Sequence, residues 1–176
     1  LTPFQYHADL LTQGKGKFLE LQSPFDPANL DIMIHNKIST KYKDRIYSID
    51  YIVEAIEIIT SVKAGNYIVF FPSYQYMQMV VDALGDVDFE VIVQKSSDTE
   101  QERNAIIELF KSTSGCKVGF FVLGGVYAEG IDLIGDWLNG VIIVGVGLPM
   151  YCDENNILKD YFEEKSADKK PTIIPV

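Results

Sequence analysis

The sequence predicts an α/β fold, a doubly wound and mostly parallel sheet flanked by helices. Three observations lead there. Residues 67–71, 118–123 and 141–146 are continuous apolar runs, the pattern of parallel strands covered on both faces. Segments with helical spacing lie between them, and the joints are short and rich in glycine or polar residues.

The elements follow in order. Residues 1–28 read as a connecting segment, with a short helix near 4–11, a Gly14-Lys15-Gly16 joint and a turn-rich stretch from Ser23 to Pro27. The domain proper is expected over 29–165, and residues 166–176 as an extended tail. A first strand is expected at 30–34. The next segment, 49–62, places Ile49, Ile52, Val53, Ile56 and Ile59 at helical spacing, and Gly65 is expected to stop it. Residues 76–84 read as a helix and 89–93 as a strand. A further helix at 98–111 opens with a capping-box pattern from Ser97 to Glu100. No internal repeat interrupts this alternation.

Composition bounds the function. At 176 residues, 47% hydrophobic and 23% charged, the chain is expected to fold as one ordinary globular domain. No apolar run approaches the ~20 residues of a membrane span, and the first residues lack the pattern of a signal peptide, so a cytoplasmic location without membrane contact is expected. Cys116 and Cys152 have no CxxC spacing and no nearby histidine, which argues against a metal site or a structural disulfide. Acidic residues outnumber basic ones by 25 to 15, the reverse of a freestanding nucleic-acid binder. A domain supplying one wall of a groove needs only local basic contacts.

In a parallel α/β sheet, ligands meet the loops that leave the carboxyl ends of the strands. After the run at 118–123, Gly124 and Gly125 lead to Glu129, Gly130, Ile131 and Asp132. Glycines admit close backbone approach, and a held carboxylate can accept from a ribose hydroxyl or a basic group; a glycine-rich turn with solvated acids is the alternative. After 67–71, Pro72 and Ser73 precede a helix whose free amides and hydroxyl suit a phosphate, with Tyr74 able to lean on a sugar or base. The alternative is that Ser73 only caps while Tyr76, Met77 and Val80 pack inward. Gln94 and Lys95 leave a third strand, as a phosphate contact or a plain surface loop. Lys37, Lys41, Lys43 and Arg45, interleaved with Tyr42, form the dense basic stretch, suited either to a nucleic-acid backbone or to a solvated loop.

Taken together and in this order, residues 70–77 and 125–132 resemble helicase motifs IV and V of the XPD/DinG-like group of superfamily 2. The resemblance extends over about residues 17–162. It implies a RecA-like second motor domain, with ATP and Mg²⁺ held between this domain and a first one and single-stranded DNA crossing both. It further implies that Ser73 and Tyr74 face the DNA, aided by Lys41 and Arg45. Gly125, Glu129, Gly130 and Asp132 would line the interdomain cleft and couple nucleotide state to DNA grip. The phosphate loop and Asp-Glu-x-His box of the first domain are absent, as is the arginine-bearing motif VI, since Arg45 and Arg103 are the only arginines. The expectation is a fragment of an ATP-dependent DNA helicase, of the kind used in DNA repair, with no complete catalytic set, no tightly bound cofactor and no activity alone. A stand-alone nucleotide-binding or protein-interaction module is the competing expectation.

Overall fold

The computed structural model describes residues 4–17, 19–129, 131–147 and 152–165. The chain divides into two compact units, Leu1–His35 and Asn36–Val176. The first holds α1 (Phe4–Thr12), on which Ala8 is buried, and a single 3-10 turn at Pro27–Asn29 whose cap is Asp26, accepting from Ala28 N at 2.9 Å. The strand expected at 30–34 does not form. Leu30, Ile32, Met33 and Ile34 are exposed and their backbone pairs with no strand among the described residues. An apolar run has no strand to be without a neighbour to supply its hydrogen bonds.

The second unit carries the alternation read from the sequence: α2 (Arg45–Val62), β1 (Asn66–Phe71), α3 (Tyr74–Asp82), β2 (Glu90–Val93), α4 (Glu100–Phe110), β3 (Lys117–Val122), β4 (Gly140–Ile143) and α5 (Asp153–Lys165). The four strands form one sheet in the order β2-β3-β1-β4, and every pairing is parallel. This is the RecA-like α/β arrangement that the resemblance implies. The central strands β1 and β3 are buried at all six positions. One face carries Tyr67, Val69, Phe71, Val118, Phe120 and Val122 against Ile49, Ile52 and Ile56 of α2 and Tyr76, Met77 and Val80 of α3. The other carries Ile68, Phe70, Ile92 and Phe121 against Phe110 of α4 and Tyr127.

Several local expectations are corrected. The third apolar run pairs only over Gly140–Ile143, at the sheet edge, where Val141 and Ile143 are exposed, so it is not covered on both faces. Helix α2 begins at Arg45 and ends at Val62, with Lys63 already extended, so it stops before Gly65. The capping box of α4 lies two residues later than the Ser97–Glu100 pattern: Thr99 Oγ1 accepts from Glu102 N at 3.3 Å, and Thr99 N donates to Glu102 Oε2 at 2.7 Å. Those hydrogen bonds to Thr99 hold the Glu102 carboxyl below its ordinary range. Helix α5 is an element beyond those the periodicity predicts, and the tail expected at 166–176 lies outside the described residues.

At the amino end of the sheet, buried Asn66 donates through Nδ2 to the carbonyls of Phe110, Ser112 and Trp137 at 2.8, 3.1 and 3.1 Å. Beside it, buried Lys117 Nζ donates to Ser112 O and Ser114 O. One carboxamide thus ties β1 to the end of α4 and to the approach to β4. Asn66→Ala leaves those acceptors without their donor and is expected to destabilise the fold by about 2 kcal/mol. A urea midpoint unchanged by the substitution would contradict this account.

Candidate nucleic-acid and interdomain site

Because the strands are parallel, their carboxyl ends open along one edge. The exit of β1 is built by capping. Ser73 has extended backbone and its Oγ accepts from Tyr76 N at 3.3 Å, satisfying a free donor of α3. The same oxygen accepts from Arg45 Nη1 at 3.4 Å. The Arg45 guanidinium lies 4.7 Å from the ring centre of Tyr76 and 5.2 Å from that of Tyr42. Tyr76 is buried and its hydroxyl lies 2.5 Å from Ser48 Oγ. A cleft of about 170 Å³ opens here, lined by Tyr42, Lys43, Arg45, Gln75, Tyr76 and Met79 among others.

Candidate residues Arg45, Ser73 and Tyr74 therefore meet at one strand exit, in different states. Arg45 is half-buried, with Nε buried and unpartnered. Ser73 is half-buried and used as a cap, while Tyr76, Met77 and Val80 do pack inward. Lys41 is exposed at the start of the 3-10 turn Tyr42–Asp44, and this loop also reaches the exit of β4. A Cβ on Gly145, whose φ is +83°, would stand 2.8 Å from Thr40 Oγ1.

The exit of β2 differs from both readings of it. Lys95, Ser96 and Ser97 are exposed, yet Gln94 and Asp98 are buried. Gln94 N continues the ladder to Phe120 O at 3.0 Å, and its side chain then turns across the exits. Oε1 accepts from Val122 N at 3.0 Å, and Nε2 donates to Tyr74 Oη at 2.9 Å. Gly125 sits directly over this amide: a Cβ there would be 3.0 Å from Val122 O and 3.1 Å from Gln94 Nε2. Close approach of backbone to a buried side chain is why glycine occupies the position.

Beyond Gly125 the segment proceeds through turns. Gly125 N donates to Val122 O and Ala128 N to Gly125 O. Tyr127 is buried and stacks on Phe121, with centroids 4.3 Å apart. Its hydroxyl has no hydrogen-bond partner. Burial, then the nearby Asp98 carboxylate, push its pKa up to about 12 against the opposing pull of Arg103. Glu129 and Asp132 are exposed at the end of this stretch, and Gly130 lies outside the described residues.

A protein-family model described as the helicase C-terminal domain matches residues 56–173, about two-thirds of the chain. The chain belongs to that family. A probable ATP-dependent helicase of Methanocaldococcus jannaschii is 28% identical over 173 residues, covering 89% of this chain and 25% of that protein. The chain thus spans about a quarter of the length of the curated relative it matches. A solved structure described as XPD_APO matches with a TM-score of 0.47 and 24% identity, over 79% of this chain and 26% of the other. The XPD/DinG-like resemblance and the family match agree on the same C-terminal helicase domain.

The helicase domain's acidic loop is not by itself a seat for a triphosphate. Residues 123–136 include Glu129, Asp132 and Asp136 and no lysine or arginine, so phosphate would meet repulsion. What these carboxylate acceptors fit is a hydroxyl or a basic side chain. Among the described residues no group of three or more His, Cys, Asp or Glu is placed to hold a metal ion, and no helix is long and apolar enough to cross a membrane.

Reading the sequence missed Asp98 and Tyr127 as parts of this edge, and it read Gln94 there only as a phosphate contact or a surface-loop residue, not as a buried amide. For Tyr127 the signal was present, an aromatic two residues after the second glycine of a strand exit. For Gln94 nothing in the pattern distinguishes a buried amide from a surface one. The raised Tyr127 pKa yields an expectation with a definite sign. The folded chain holds this proton more tightly than the unfolded one, so its contribution to stability is complete below pH 10 and lost as pH rises toward 12. Tyr67, also pushed up by burial, acts in the same direction. Ultraviolet titration of wild type and Tyr127→Phe is expected to show the late-ionising phase reduced in the variant; identical titration curves would contradict it.

Proposed function

We propose that this helicase C-terminal domain is the second motor half of an XPD/DinG-like ATP-dependent DNA helicase, and that its strand-exit edge grips single-stranded DNA and closes on a nucleotide. In this reading Lys41, Arg45, Ser73 and Tyr74 face the DNA. Gly125, Glu129, Gly130 and Asp132 face the cleft shared with a first helicase domain, which brings the phosphate loop and the Mg²⁺-binding acids. The whole protein hydrolyses ATP and works on DNA in the cytoplasm, in repair. The observation that carries the reading is the convergence of Arg45, Ser73 and Tyr74 on one exit, joined through Gln94 to the glycine turn at Gly125.

The geometry around Arg45 supports a pre-oriented grip. Arg45 contributes from a wall of two tyrosine rings, so its guanidinium is oriented before DNA arrives, and little ordering entropy remains to be lost. Lys41 contributes as an exposed point charge. Two cations imply a weak, salt-sensitive complex, with a slope of log K against log salt near roughly −1.4 for a single strand.

Fluorescence anisotropy with an oligodeoxythymidine tests this. Weak binding is expected, falling at least about five-fold in Ser73→Ala with Tyr74→Ala, provided circular dichroism shows that loss of the cap leaves α3 folded. Arg45→Lys keeps the charge but loses the stacked planar fork, and a reduction of about three-fold or more is expected. Undiminished binding by a folded double variant would remove the DNA-facing role. The chain alone is expected to show no ATP turnover, lacking the phosphate-loop lysine, the magnesium-binding acids and the motif VI arginine; turnover by a contaminant-free sample would overturn the assignment.

A further inference from the structure

The buried amide of Gln94 touches three strand exits at once. It belongs to the exit of β2, donates to Tyr74 Oη beyond β1, and accepts from Val122 N at the end of β3. Gln94 N still pairs with Phe120 O, and its Oε1 then accepts from Val122 N, beyond the last paired residues of β2 and β3. The side chain therefore extends the ladder with a group that also reaches sideways. Gly125 lies against the same amide, close enough that no Cβ fits without a shift.

Both amide ends are committed. Gln94 is 5% exposed, and Tyr74, at 38%, is the partner that remains open to solvent. A force or contact on the Tyr74 ring therefore acts on an amide whose other end holds the last donor of β3, from which the glycine turn departs. Val122 O in turn accepts from Gly125 N, and Gly125 O from Ala128 N, at 3.1 and 2.9 Å. The path from Tyr74 to the turn preceding Glu129 is an unbroken series of hydrogen bonds.

We propose that Gln94 is a positioning residue that ties the placement of Tyr74 to the turn at 122–128, so that the DNA-facing and cleft-facing segments move as one body. This rests on the functional reading above for what the two segments face. The link itself rests only on the hydrogen bonds of Gln94 and the close approach of Gly125. A purely structural Gln94 would satisfy Val122 N and be indifferent to the tyrosine hydroxyl, and the two roles separate experimentally.

The test is amide hydrogen exchange, read by NMR on the 176-residue chain, in wild type, Tyr74→Phe, Gln94→Leu and the double variant. Tyr74→Phe removes one partly exposed hydroxyl and keeps the ring, so the fold is retained. It is expected to speed exchange at Val122, Gly125 and Ala128 by about five-fold, the loss of one net hydrogen bond. Ile68 and Val69 in β1 serve as the unchanged reference. Gln94→Leu is expected to speed the same amides more, and the double variant to match Gln94→Leu alone, since the hydroxyl then has nothing to act through. If Tyr74→Phe leaves those three amides at wild-type rates, or if the effects simply add, the positioning role is overturned.

A second arm adds oligodeoxythymidine. Slowed exchange at Val122, Gly125 and Ala128 in wild type, lost in Gln94→Leu, supports the link as the route from DNA to the cleft side. If the oligonucleotide changes nothing at these amides while the Tyr74→Phe effect stands, the positioning role holds and the DNA-facing assignment of Tyr74 falls.

Discussion

The pairing of β1 with β3 is the constraint from which the rest of the unit Asn36–Val176 follows. Six residues of each strand align in register from Asn66 opposite Lys117 to Phe71 opposite Val122, and all twelve are buried. Two adjacent strands buried on both faces leave no side of the sheet free to water, so apolar cover is required above and below. Helices α2 and α3 supply one cover and α4 with Tyr127 the other. Parallel pairing also places Pro72–Ser73 and Leu123–Gly124 side by side, since Leu123 N donates to Phe71 O. Chemistry at this edge is thereby a consequence of the core.

The edge is polar in an unusual way, because its important groups are already paired with one another. Ser73 serves α3 and Arg45 together, Arg45 is clasped by two rings, and Gln94 spends both ends of its amide. A surface arranged like this is oriented before a partner arrives, so a few local cations suffice. That reconciles a net charge of −10 with the nucleic-acid role proposed for it.

The parts legible beforehand were those that depend on local pattern. Continuous apolar runs announced β1 and β3, and helical spacing announced α2, α3 and α4 with errors confined to their ends. The errors have physical causes. The run at 30–34 has strand composition but pairs with no neighbour among the described residues, and the run at 141–146 lies at an edge where burial of alternate residues lapses. The cap of α4 was placed at Ser97 because serine and glutamate stood at the right interval. Thr99 and Glu102 stand at the same interval, and Asp98 is instead turned inward to accept from Lys95 N. Ser73 was legible as a cap and as a candidate site residue, and the geometry gives it the cap plus the contact with Arg45.

By itself, then, the sequence determined the fold class, the places where strands exit, and the ordered pair of motifs that resembles the helicase family, because each is written in periodicity or in residues at fixed spacing. Tertiary structure alone decided which exits touch. Gln94 and Tyr74 are twenty residues apart, and Gln94 and Val122 twenty-eight, so no local pattern can show that one amide joins them. It also decided that Arg45 sits between Tyr42 and Tyr76 and that the Tyr127 hydroxyl is buried without a partner. Contacts of this kind depend on how the crossovers bring distant exits to one edge, and that is a property of the packed sheet.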